Sequence, residues 1–266
     1  IFGYNNLYFA LYTIFFGCLT VFPLFFLIKK IIHREAAIFG IGIFIFIPNV
    51  VIFTATSYDT LLMFFSCLTL TLYYYSIKEH SKKSIILSGI SLFIYMLLTF
   101  HSLVIGLFIV GLPLYYYVLE KNINTIISGF YVALTTLTLL IIMHFLGYNY
   151  VESFFNSLSL VQAGNQTLTV GTYLKYFIGN ILAYLVYLGI PIAAILLNKK
   201  NYLKIKGDRD LFIITIFTFA IILIMDIILL GHLEQERVWL FMVPFIMVFI
   251  SKIIMLEMQR VNSNVY

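Results

Sequence analysis

Charge is what this sequence has least of. Asp, Glu, Lys and Arg make up 10% of its 266 residues, where soluble domains carry about 25%. That shortage excludes a water-soluble core. Cysteine is also scarce, and Cys18 and Cys67 both lie inside apolar runs, so a disulfide framework is excluded as an organising device. No signal peptide precedes the first apolar segment, and no internal repeat is found. The chain opens at Ile1 directly before that segment, which predicts an upstream portion missing from this sequence.

Hydrophobic residues fill the space left by charge, at 62% of the chain. Long apolar runs recur from end to end, and about 20 residues span a bilayer. The sequence therefore predicts an all-α, polytopic transmembrane helical bundle forming a single domain over residues 1–266. The net charge of +5 is not a nucleic-acid signal, because the basic residues sit in short loops between apolar runs.

Nine spans are predicted, at 7–28, 36–53, 60–77, 85–100, 102–118, 124–146, 173–197, 211–230 and 238–256. The fourth and fifth are short, and the distribution of positive charge decides between two spans and one. With a hairpin turning at His101–Ser102, all but two of the 16 Lys and Arg residues fall on one side of the membrane. The two exceptions are Lys175 and Arg237. Merging the two segments flips every later loop and divides the basic residues evenly. The hairpin is therefore preferred, and the basic side is assigned to the cytoplasm. Nine spans with an external start fit a chain lacking a cytoplasmic N-terminus, one span and one external loop.

The ionisable groups gather at the outer edge. Asp59 follows the second span in Ser57-Tyr58-Asp59-Thr60, as a first-turn acid for the third span or a functional carboxylate. His101 caps the hairpin. Glu152 lies in the long external loop 147–172, where it reads as a solvated charge. A short amphipathic helix lying on the membrane at about 150–162 fits the aromatic start of that loop. Its polar end, with Gln162, Asn165, Gln166 and Thr167, suits either solvent or a sugar. Asp226 lies about one turn inside the eighth span, a depth at which a carboxylate needs a partner or a proton.

Gly231-His232-Leu233-Glu234-Gln235-Glu236-Arg237-Val238-Trp239 is the most specific stretch. If the ninth span begins near Glu234, Glu234 and Arg237 share a face, as do His232 and Glu236. Arg237 offers a planar fork of donors suited to phosphate, beside the positive end of a helix. The plain alternative is an interfacial salt bridge with Trp239 as a membrane-belt residue.

Three stretches resemble the GT-C-type polytopic glycosyltransferases, the superfamily of protein mannosyltransferases and lipid A aminoarabinose transferases. They are Pro48–Tyr75 with Ser57-Tyr58-Asp59-Thr60-Leu61-Leu62, the loop Tyr148–Gln162 with the span Tyr173–Leu197, and Asp226–Pro244 with Glu236-Arg237-Val238-Trp239-Leu240-Phe241. The last is similar to the penultimate external motif of a bacterial and archaeal branch. The resemblance implies transfer of a sugar from a polyprenyl- or dolichyl-phosphate donor to an acceptor glycan, lipid or protein at the external face of the plasma membrane. It implies Asp59, Glu236 and Arg237 as catalytic residues. Glu234, His232, Asp226, His101 and Trp239 would contact substrate. A divalent metal is compatible with the carboxylates and histidines, without a spacing that identifies an ion. One departure is that residues 1–35 supply no acidic pair of the kind the family's first external loop carries, the motif that the resemblance implies holds the catalytic base, so the expectation is either an N-terminal truncation or an inactive protein. Rival readings are a transporter or lipid flippase, with polar groups near the bilayer midplane, and a structural subunit of an envelope complex.

Overall fold

The computed structural model describes residues 6–165, 169–228 and 234–263. The structure is 88% helical, with no strand among the described residues. Chain order runs α1 (Asn6–Leu19), α2 (Val21–Ile31), α3 (Arg34–Phe44), α4 (Pro48–Thr54), α5 (Asp59–Glu79), α6 (Lys82–Leu98), α7 (Ser102–Glu120) and α8 (Ile123–Phe145). It continues with α9 (Tyr150–Asn165), α10 (Val170–Leu188), α11 (Ile190–Leu197), α12 (Lys199–Ile205) and α13 (Arg209–Ile227). The four-residue α14 (Gln235–Val238) passes through a 3-10 turn, Trp239–Met242, into α15 (Val243–Ser263).

Polar side chains mark where several helices begin, by accepting backbone N–H groups that the first turn leaves unpaired. The His33 ring accepts from Ala36, Ser81 from Ser84, Asn122 from Asn124, Asn198 from Lys200 and Asp208 from Leu211. All of these but Asn198, which caps the Lys-rich α12, precede an apolar run, so a polar cap and a hydrophobic body together define those helices.

Among the described residues, six helical stretches, α1 and α2 counting as one, are long and apolar enough to cross a membrane, or seven if the bent pair α3–α4 forms one span. Over their described residues, the nine stretches expected to span fall mainly on helices, but three of them are interrupted, 7–28 at Thr20 between α1 and α2. The run 36–53 is two helices bent by 62°. Pro48 heads the second, where its missing N–H is harmless and its ring stops the first helix from continuing. The run 173–197 is divided at Gly189, whose φ of 96° lies in the region glycine tolerates, and Pro191 starts the next helix. The turn between α6 and α7 falls at 99–101, where the hairpin was expected. The loop helix expected at 150–162 is α9.

The chain divides into two compact units. One comprises 1–71 with 180–266, the other 72–179. In the first, α15 is the central helix, and 89% of its most apolar window is buried. Phe241, Phe245 and Phe249 are fully enclosed. Gly40 of α3 lets that helix approach α15 so closely that an added Cβ would lie 2.1 Å from Ser251 Oγ. Hydroxyls fasten neighbouring helices to backbone carbonyls, with Ser66 donating to Phe241 O at 3.0 Å and Thr71 to Pro23 O at 3.1 Å.

In the second unit, α6 and α8 meet through small residues. An added Cβ on Gly89 would lie 2.6 Å from Thr135 Cβ, and Thr136 donates its hydroxyl to Gly89 O at 3.1 Å. Close backbone approach through Gly, Ser and Thr is the way helices associate where lipid offers no hydrophobic contrast. Tyr73 donates its buried hydroxyl to Ile109 O at 2.5 Å.

Candidate active site

Asp59 opens α5, and its carboxylate is mostly buried, at 12% side-chain exposure. The two residues before it create its setting. Ser57 donates its hydroxyl to Asp59 Oδ2 at 2.5 Å, and the Asp59 N–H returns a bond to Ser57 Oγ at 3.1 Å. Thr60 donates to Ser57 O and to Thr13 O, which ties the start of α5 to α1. Tyr58 stands between these residues, its phenol pushed up to about 12 by burial and by the neighbouring Asp59 charge. It remains a neutral hydroxyl at physiological pH.

Arg237 comes to this carboxylate from the far end of the chain. Its Nε lies 3.0 Å from Asp59 Oδ2, and its Nη2 donates to Glu234 Oε2 at 2.5 Å. The Nε–H does not point along the line to Oδ2, so that contact is an ion pair rather than an aligned hydrogen bond. The guanidinium is 41% exposed and Glu234 is 56% exposed, so the pair between them adds only about 0–1 kcal/mol to stability. Its consequence is orientation, because one planar cation is held between a buried and an exposed carboxylate.

Backbone contacts hold the segment that carries Arg237. Glu234 O accepts from the N–H groups of Arg237 and Val238, closing the single turn of α14. Asn49, fully buried in α4, reaches Glu236 O with its amide at 3.5 Å, and its Oδ1 has no partner among the described residues. Trp239 is fully buried, edge-on to Tyr184, whose hydroxyl donates to Trp239 O at 3.2 Å. Its place is in the core beneath Arg237, and it is not a membrane-belt residue.

The structure therefore brings together Asp59, Glu234 and Arg237 of the expected site. The Glu236 side chain is half-buried, and only its backbone carbonyl has a partner among the bonds just described. His232 lies outside the described residues. Asp226 is fully buried in α13 and accepts from Asn180 Nδ2 at 2.9 Å. That amide is the partner a carboxylate at this depth requires.

His101 belongs to the other unit. Its backbone N–H donates to Thr99 Oγ1 at 3.2 Å, and Thr99 Oγ1 is 3.0 Å from His101 Nδ1. Burial lowers its pKa to about 4, so the ring is neutral at physiological pH. Glu152 is an exposed first-turn acid of α9 bonded to Asn149, as a solvated loop charge would be. Among the described residues, no group of three or more His, Cys, Asp or Glu side chains is placed to hold a metal ion.

Asn49, Ser57 and Asn180 were not singled out by sequence reasoning. For Asn49 and Asn180 the available signal was a carboxamide within an otherwise apolar run, where only a polar neighbour makes burial tolerable, and for Ser57 it was the position two residues before Asp59. No family model, curated protein or solved structure matches this chain.

Proposed function

We propose that this chain is the membrane body of a GT-C-type glycosyltransferase, a multi-pass protein of the plasma membrane with about nine spans. It would move a sugar from a polyprenyl- or dolichyl-phosphate donor to an acceptor at the external face. The observation that carries this reading is the buried Asp59 carboxylate with the half-exposed Arg237 guanidinium 3.0 Å away. That pairing places a proton acceptor beside a phosphate-binding cation, the two groups such a transfer needs.

In the proposed step, Asp59 takes the proton of an acceptor hydroxyl or amine. Ser57 and Arg237 both engage Oδ2, and Oδ1 is the oxygen assigned to that proton. The acceptor atom forms a bond to the anomeric carbon as the bond from that carbon to the phosphate oxygen breaks. The polyprenyl phosphate leaves with the electron pair. Arg237 stabilises its growing negative charge, exchanging Glu234 for phosphate. The four-residue α14 is too short to contribute much helix dipole, so Arg237 carries this role alone. Glu236, half-buried next to Arg237 in the chain, is assigned to contact the sugar.

The test is transfer of radiolabelled sugar from polyprenyl phosphate by the protein in lipid nanodiscs. Asp59→Asn and Arg237→Ala should each abolish transfer with the fold retained. Undiminished transfer in either variant rejects the assigned role.

One observation favours a second reading, a transporter or flippase. Asp226 near the end of α13 and Asn180 of α10 form a buried polar pair, and buried polar groups among apolar helices are the kind a transport path uses. Movement of a lipid-linked sugar across a proteoliposome without transfer, lost in Asp226→Leu, would select it.

A further inference from the structure

A cavity of about 510 Å³ lies within the second unit, between the α6–α7 turn and the start of α9. That volume falls inside the range of small-molecule sites, roughly 300–1,000 Å³. Met96, Leu97, Leu98 and Leu158 give it aliphatic walls, and two further kinds of group line it. Phe100 and Phe154 meet with ring centroids 5.5 Å apart and supply an aromatic surface. His101, Tyr148, Ser153 and Ser157 supply hydrogen-bonding groups around it. Among the described residues, no Asp, Glu, Lys or Arg lines the cavity.

This lining selects its ligand by chemistry. A charged ligand would lose hydration on entry and find no counter-charge to replace it. A wholly apolar ligand would displace water from Tyr148, Ser153 and Ser157 without replacing its hydrogen bonds. The suitable occupant is neutral, with an apolar face to lie on the rings and hydroxyls at its edge for the serines, Tyr148 and His101. A pyranose ring has both.

We infer that this cavity is a binding site for an uncharged sugar ring, held by the rings of Phe100 and Phe154 and by hydroxyl and imidazole groups of the lining. Burial keeps the His101 ring neutral, so it meets the ligand as a hydrogen-bonding group and not as a cation. Binding here involves no covalent step. It stands whether or not Asp59 and Arg237 perform transfer.

The experiment is saturation-transfer-difference NMR on the whole protein in nanodiscs, free of glycoside detergents. The probes are glucose, galactose, mannose and N-acetylglucosamine as neutral rings, with glucuronate and glucosamine as charged analogues. At least one neutral ring should saturate, and its charged analogues should bind about tenfold more weakly or not at all. Ser157→Phe should fill the cavity and remove the signal. Phe154→Ala should weaken binding about tenfold. Phe155→Ala, an exposed neighbour outside the lining, should leave it unchanged. Failure of all four neutral rings to bind overturns the inference. So does equal binding of glucuronate, or binding indifferent to both Ser157→Phe and Phe154→Ala. The charge comparison on the unaltered protein decides the matter even if a variant does not fold. Sugar binding without transfer activity would reject the proposed reaction alone, and transfer without binding at this cavity would reject this site alone.

Discussion

Arg237 Nε lies 3.0 Å from Asp59 Oδ2, joining the start of one long helix to the short turn that precedes the central helix of its unit. Asp59 is also fixed by Ser57, and Arg237 also by Glu234. The pair is thus one link in a chain of side chains running from a buried hydroxyl to an exposed carboxylate.

That arrangement makes the guanidinium's shape matter. Arg237→Lys keeps the charge and loses the planar fork, so it should restore little of what Arg237→Ala removes. Loss of a single preorganised donor to a developing oxyanion costs about 10²–10³ in kcat. Both variants should fall at least that far in the sugar-transfer assay. Glu234→Gln, which frees the guanidinium from one competitor, should retain activity. A fully active Arg237→Lys enzyme would mean that the charge acts without the geometry.

Asp226 and Asn180 predict a stability effect. Asn180→Leu leaves the buried carboxylate without its donor, and an unsatisfied buried group costs about 1–3 kcal/mol. Asp226→Asn replaces one hydrogen-bonding partner by another and should cost less. Thermal unfolding of both variants in nanodiscs gives the comparison. Equal transition temperatures for Asn180→Leu and the unaltered protein would show the bond to be dispensable.

Close packing at Gly89 can be tested against a built-in control. Gly89→Ala places a methyl 2.6 Å from Thr135 Cβ, whereas Gly106→Ala meets nothing within 4 Å. The first should destabilise by about 1–3 kcal/mol through overpacking. The second should be neutral or mildly stabilising, because alanine is the better helix former. Denaturation of the two side by side distinguishes them.

His101 gives a pH dependence with a definite sign. Its folded pKa is about 4, against an ordinary value of 6.5. The unfolded chain therefore binds a proton between those values that the folded chain refuses. This contribution to stability is fully present above pH 6.5 and is lost as pH falls through the window towards 4. His101→Gln should flatten that slope in unfolding temperature against pH. An unchanged slope would assign the dependence to other groups.

The presence of helices long and apolar enough to cross a membrane, and the positions of most helices, are legible in the sequence alone. Apolar length and polar start signals are local properties, and they fix where helices lie because each helix satisfies its own backbone hydrogen bonds. The interruptions at Pro48 and Gly189 were visible as residue types, but apolarity runs straight through both, and hydropathy does not see a bend. The pairing of Glu234 with Arg237 was legible too, since three residues along a turn share a face. Asp59 with Arg237, Asn49 with Glu236 and Asn180 with Asp226 were not. Their partners lie 178, 187 and 46 positions away. Nothing local records which distant helix will supply the group that makes burial of an amide or carboxylate tolerable. The sequence determined which residues are too polar for their surroundings. Only the packing of the helices decided which of them answer one another.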